Sequence, residues 1–177
     1  MRKVNTSELK GLLSSFHAGE EILLSGTVYT ARDAVHKRFA QLIAEGKPLP
    51  IELSGAVIYY AGPTPSKNGL AVGSCGPTTS SRMDKHTPML LERGLSAIIG
   101  KGERNESVIS SLVQNGAVYF CAIGGAGALY ASCIESVQVV AFEELGCESL
   151  KKMTVKDFPL IVGIDSYGGN IFDRKNA

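Results

Sequence analysis

The chain has 177 residues, 44% hydrophobic and 20% charged, with 18 Lys and Arg against 17 Asp and Glu for a formal net charge of +1. That size carries one domain with a substantial core, and the interspersed charges exclude a basic nucleic-acid surface and a polybasic membrane-binding face. No apolar stretch approaches the length of a membrane span, and Met1 to Asn5 lead into polar residues rather than the apolar centre of a secretory leader, so a single cytoplasmic domain over 1–177 is expected.

In chain order, strands and helices alternate. Residues 20–29 read as a strand, after which Thr30 is placed to cap a helix from Ala31 to Glu45 with Asp33 at its third position and Gly46 beyond its end. Val35, Phe39, Leu42 and Ile43 supply the apolar face of that helix. Strand-like runs follow at Gly55 to Ala61, Leu70 to Ser74 and Ser96 to Ile99, with Thr87-Pro88 starting a helix between the last two. Residues 103–115 read as a helix, 117–123 as a buried strand, 125–135 as a small-residue helix and 137–142 as a strand. Phe158 to Ile164 is apolar, and the turn Asp165 to Asn170 predicts a hairpin with Ile171-Phe172. This order defines an α/β domain with a partly parallel sheet and some antiparallel pairing.

Four cysteines stand at 75, 121, 133 and 147 without any Cys-x-x-Cys pair, and most read as buried free thiols. With His17, His36 and His86 equally scattered, no zinc or iron–sulfur spacing is present and no metal site is expected on this chain alone.

The loops carry the chemistry. In Gly76-Pro77-Thr78-Thr79-Ser80-Ser81-Arg82-Met83-Asp84, a Gly-Pro turn is followed by four hydroxylated residues and then a guanidinium, a planar fork of donors matched to a carboxylate. The same hydroxyls equally suit capping of the short helix that follows. Arg32 lies where the first strand enters its helix, so unpaired N–H groups and the helix dipole favour an anion there; a pair with Asp33 or another nearby carboxylate at a solvated helix end is the plainer reading. Lys101 stands bare between Gly100 and Gly102, as either a projecting ammonium or an exposed turn residue. His36 follows Arg32 by one helical turn, placed to orient a substrate or to serve as a satisfied structural histidine. Neither Gly-Lys-Gly nor Gly124 to Ala128 has the frame of a P-loop or a dinucleotide-binding loop, and the glycines of the latter suit close helix–strand packing.

Taken together, Leu24 to His36, Ile58 to Pro65, Gly76 to Asp84, Ile99 to Gly102, Gly124 to Ala126 and Val155 to Pro159, in that order, resemble the beta subunit of two-subunit class I iron–sulfur fumarases and L-tartrate dehydratases, or the C-terminal domain of the single-chain enzymes. The resemblance spans nearly the whole chain, with mild departures at Val35 and at Cys147-Glu148-Ser149-Leu150. It implies a swivelling β/β/α three-layer domain with one mainly parallel and one antiparallel sheet. It also implies an alpha-subunit partner whose three cysteines hold a [4Fe-4S] cluster, none being bound by this chain, and a dimer of alpha–beta pairs. The implied reaction is reversible hydration of fumarate to (S)-malate, with dehydration of L-tartrate as the alternative and a non-catalytic anion-binding or assembly role as the contrasting class. Position by position, the resemblance assigns Arg32, Arg82 and Lys101 to the substrate carboxylates and Thr78 to proton abstraction.

Overall fold

The computed structural model describes residues 1–67 and 69–173. Its elements in chain order are β1 (Arg2–Asn5), α1 (Thr6–Leu12), β2 (Glu21–Thr30), α2 (Asp33–Ala44), β3 (Val57–Tyr59), α3 (Thr87–Leu91), β4 (Ala97–Gly100), α4 (Glu106–Asn115), β5 (Val118–Cys121), α5 (Gly127–Ser132), β6 (Ile134–Ala141) and β7 (Leu150–Ile164). Short 3-10 turns occur at Leu13–Ser15, Ser80–Met83 and Glu143–Glu148.

The strands form a mixed seven-stranded sheet in the order β1-β2-β3-β4-β5-β7-β6. Strands β1 to β5 run parallel to one another, whereas β7 runs antiparallel to β5, β6 and β2. Because β7 meets β5 at one end and β2 along most of its length, strands β2, β3, β4, β5 and β7 close into a ring of pairings.

Alternation along the strands sends side chains to opposite faces and so builds two cores. Val57, Tyr59, Ala97, Ile99, Val118 and Phe120 point inward with Met153, Phe158 and Val162 of β7. Their neighbours Ile58, Tyr60, Ile98 and Tyr119 face the helices, where Val35 and Phe39 of α2, Leu90 and Leu91 of α3 and Val108 and Leu112 of α4 cover them. The helices are thus anchored over the parallel strands, and their N-terminal loops lie at the strands' carboxyl ends.

Several expectations are corrected. Thr30 ends β2 with its hydroxyl buried and unpaired, and Arg32 occupies the cap position of α2 without a side-chain capping bond. Residues 70–74 form no strand: Thr64 N donates to Ser74 O and Gly73 N donates to Thr64 O across a loop, since the run is too short and glycine-broken to join the sheet. β1 and α1, the latter capped by Asn5, were not foreseen, because so short a strand and helix in polar sequence leave little periodicity. β7 begins eight residues before the predicted run, at Leu150. The C-terminal hairpin reduces to one bridge, Ile164 to Asn170, flanked by bonds from Ile171 N to Gly163 O and from Asp165 N to Gly169 O, each at 3.0 Å. Among the cysteines only Cys75 is buried; Cys121 and Cys133 are half-buried and Cys147 is exposed.

Candidate functional site

β2, β3, β4 and β5 are adjacent and parallel, so the loops that leave their carboxyl ends gather along one side of the sheet. Arg32 leaves β2, Lys101 leaves β4 and Gly124 lies just past β5. Thr78 reaches the same edge from a distant loop: its N–H donates to Tyr60 O at 2.7 Å, just past β3, while Pro77 bridges to Ala61 and Thr79 to Lys101.

The hydroxyls therefore do not cap the turn that follows. Thr79 takes the cap position of Ser80–Met83 with no side-chain bond, and Ser80 is fully buried. Ser80 Oγ accepts from Lys101 N at 3.0 Å and donates to Tyr119 Oη at 2.9 Å, whose own proton goes to Gly102 O at 3.0 Å. Lys101 O accepts from Ser80 N at 3.1 Å, so the lysine backbone is clasped on both sides rather than bare. Its ammonium stem runs over Gly124, where an added Cβ would sit 3.5 Å from Lys101 Cδ. The loops carrying Thr78 and Lys101 are thereby locked together.

The two arginines meet at the N-terminus of α2. Arg82 Nε donates to Asp33 Oδ1 at 3.2 Å, and its Nη2 lies 3.1 Å from Oδ2 as an ion contact without hydrogen-bond geometry, which leaves Nη1 outside the pair. Arg32 does not pair with Asp33. Its Nε faces Glu148 Oε1 at 3.4 Å, and its stem packs on Gly62, where a Cβ would come within 3.0 Å of Nη1. Each guanidinium thus has a carboxylate of the chain itself beside it.

His36 is fully buried beneath this corner. Its Nδ1 lies 2.8 Å from Arg32 O and therefore donates, its ring stands edge-on to Tyr60 at 5.1 Å, and Nε2 has no partner. Burial pushes its pKa down to about 4, with the positive fields of His86 and Arg104 adding to the effect, so the ring is neutral at physiological pH. It touches the site through Arg32.

Asp84 and Arg104 were not singled out from sequence. Arg104 Nε donates to Asp84 Oδ1 at 2.7 Å, and Asp84 Oδ2 accepts from Asn105 N at 2.9 Å, joining the Arg82 loop to the start of α4. The guanidinium also donates to Thr87 Oγ1 at 3.0 Å and lies over the rings of Tyr60 and Tyr119. Twenty residues of separation conceal the pair, although Asp84 falls inside the hydroxyl-arginine run.

Among the described residues, no three His, Cys, Asp or Glu side chains lie together as a metal-ligand set. Burial raises the thiol pKa of Cys75 to about 12 and that of Cys121 to about 11, keeping both protonated. These side chains do not fit the ligand set of an iron–sulfur cluster. No described helix is long and apolar enough to cross a membrane.

Fold and site together define an α/β domain that presents cations, a threonine and glycine-lined loops at the carboxyl ends of parallel strands. The family described as Fumarase C-terminus matches residues 1–175, and the chain belongs to that family. It is 37% identical over 167 residues to fumarate hydratase 2 of Leishmania major and 36% identical over 169 residues to the anaerobic class I fumarate hydratase of Escherichia coli. Those alignments cover 93% and 94% of this chain but only 29% and 31% of the relatives, so the chain spans about three-tenths of the fumarate hydratases it matches. It is also 37% identical over 164 residues to the putative L(+)-tartrate dehydratase subunit beta of Methanocaldococcus jannaschii, covering 89% of this chain and 84% of that protein.

Proposed function

We propose that this chain is the beta subunit of a hydro-lyase that adds water to, or removes it from, a small dicarboxylate, with fumarate and (S)-malate as the preferred pair. The observation that carries the reading is the succession of Arg32, Thr78 and Lys101 along the ends of three neighbouring parallel strands, with Arg82 joined to the first through Asp33. The cores on both faces of the parallel strands support reading the domain as the swivelling β/β/α unit of such enzymes.

In this reading Arg32, Arg82 and Lys101 hold the two carboxylates and oppose the negative charge that develops when a proton leaves the carbon beside one of them. Thr78 is the candidate acceptor of that proton. A threonine hydroxyl is a poor base, and the bias comes from the surrounding cations, which favour an alkoxide over the neutral alcohol. Loss of one clamp cation costs about 3 kcal/mol in the transition state, on the order of a hundredfold in rate. His36 enters as a residue that fixes the backbone of Arg32.

The [4Fe-4S] cluster of these enzymes belongs, in this reading, to an alpha subunit, and the working assembly is a dimer of alpha–beta pairs in the cytoplasm. The near full-length match to a tartrate dehydratase subunit beta supports a two-chain enzyme and keeps L-tartrate as the second substrate reading. The test is anaerobic: the chain is co-expressed with a candidate alpha subunit, the cluster is reconstituted, and fumarate formation from malate is followed alongside oxaloacetate formation from L-tartrate. Fumarate supports the first assignment and oxaloacetate alone moves it to the second. A loaded, assembled complex inactive on both would leave an anion-binding or assembly domain.

A further inference from the structure

The segment that enters β7 is built as a strap across α2. Phe142, in the left-handed region at φ 60, packs its ring 6.4 Å from that of Phe39, and Glu144 pairs with Arg38 at 2.9 Å. One turn further on, Glu148 Oε1 faces Arg32 Nε at 3.4 Å, an ion contact that is the nearest acidic neighbour of a buried Nε–H which makes no hydrogen bond. The end of the strap is pinned from β7. Lys151 Nζ donates to Gly146 O and Cys147 O, each at 3.0 Å, and to Ser149 Oγ at 2.6 Å, while Ser149 and Leu150 are buried. Three side chains thus tie the strap to the helix whose first residues form the site, and a lysine satisfies the carbonyls just before Glu148 reaches its partner.

We propose that Glu148 is a positioning residue: it holds the Nε side of Arg32 so that the terminal nitrogens of the guanidinium are presented, as a fork, to a substrate carboxylate. The inference rests on the dicarboxylate reading of the site and adds to it a residue that does not touch the ligand. Its basis is directional. A guanidinium has two planar edges rich in donors, and an acidic partner on the Nε side orients the opposite edge. Gly62 leaves room for the Arg32 stem on the other flank, since any Cβ there would press on Nη1 and Cδ. Arg82 likewise has a carboxylate on its Nε side, there hydrogen-bonded: its Nε donates to Asp33 Oδ1 at 3.2 Å. A carboxylate that merely competed with substrate for Arg32 would need freedom to leave, whereas this one sits on a backbone fastened by Lys151, Phe142 and Glu144.

Two measurements test this. In the 15N-arginine-labelled full chain, with the Arg32 signal assigned by its loss in Arg32→Lys, Glu148→Gln is expected to speed solvent exchange of the Arg32 Nε–H at least tenfold. Unchanged exchange overturns the proposal. In the assembled complex with its partner subunit, Glu148→Gln is expected to raise KM for malate about tenfold with kcat within about twofold of wild type, and Glu148→Asp to recover part of the loss. A fall in KM on Glu148→Gln would show a competing carboxylate, and an unchanged KM with a lowered melting temperature would show a purely structural pair; either outcome sinks the proposal. If the wild-type complex turns over neither malate nor L-tartrate, the dicarboxylate reading fails by itself, while the exchange measurement still decides whether Glu148 holds Arg32.

Discussion

Arg104 Nε donates to Asp84 Oδ1 at 2.7 Å with the guanidinium side chain wholly excluded from solvent and the carboxylate 6% exposed. This pair ties the loop that carries Arg82 to the loop that follows Lys101, so it sits behind the site and holds two of its walls. Asp84→Asn or Arg104→Met leaves a buried charge without its partner and is expected to destabilise the fold by about 3 to 5 kcal/mol. Urea unfolding of the single variants and of the double variant checks this. A double variant no worse than either single one is expected, because it removes both charges at once.

Gly100 is a second point where the fold depends on one residue. A Cβ there would collide with Ser80 Oγ, which is bonded to Lys101 N and to the Tyr119 hydroxyl. Gly100→Ala must displace Ser80 and is expected to cost about 1 to 3 kcal/mol, the range for overfilling a packed site. Thermal unfolding measures it. Because the bonds broken are those that register Thr79 against Lys101, the variant should lose turnover even at temperatures where it stays folded.

His36 makes stability depend on pH. Its folded-state pKa of about 4 lies below the ordinary 6.5, so the unfolded chain binds the proton more readily and stability falls as pH drops through that interval. The contribution is present above pH 6.5 and is lost progressively toward pH 4. Between pH 7 and pH 5 it amounts to about 2 kcal/mol by linkage. Urea unfolding at both pH values is expected to show this loss in wild type and to show it reduced in His36→Asn, whose amide can still donate to Arg32 O. An equal pH dependence in the two proteins would falsify the assignment to His36.

Lys101 separates backbone from side chain. Its N–H and carbonyl clasp Ser80, while its ammonium lies over Gly124 without an ion-pair partner among the described contacts. Lys101→Met is therefore expected to keep the melting temperature within a few degrees of wild type and to lower kcat/KM of the assembled enzyme about a hundredfold, the cost of one lost transition-state cation. Steady-state kinetics beside a thermal melt checks both halves.

Much of the helical half was legible because apolar spacing and punctuation agree there. Val35 and Phe39 fall on one face of α2, and Pro88 marks the start of α3. β7 was half hidden, since Met153 and Val155 alternate inward among Lys151, Lys152 and Lys156, and lysines dilute the apolar signal although they sit on a properly alternating strand. Thr30 satisfied every local rule for a cap, yet β2 runs on through it to pair with Tyr59 and Lys151. Sheet hydrogen bonds gained over two strands outweigh one capping bond.

The sequence by itself determined the α/β alternation and the balanced charge, and it marked Arg32, Arg82 and Lys101 as candidates through short local motifs and Thr78 through the family resemblance. Only the tertiary structure decided which carboxylate aims which guanidinium. Arg32 sits beside Asp33 in the chain but faces Glu148, and Asp33 faces Arg82, because the parallel strand order and the strap before β7 bring distant loops closer than chain neighbours on a helix end can turn toward each other. The same holds for Asp84 with Arg104 and for Ser80 with Tyr119: each pair is made by packing across the sheet's carboxyl edge, where burial makes an unmet polar group costly and so selects its partner.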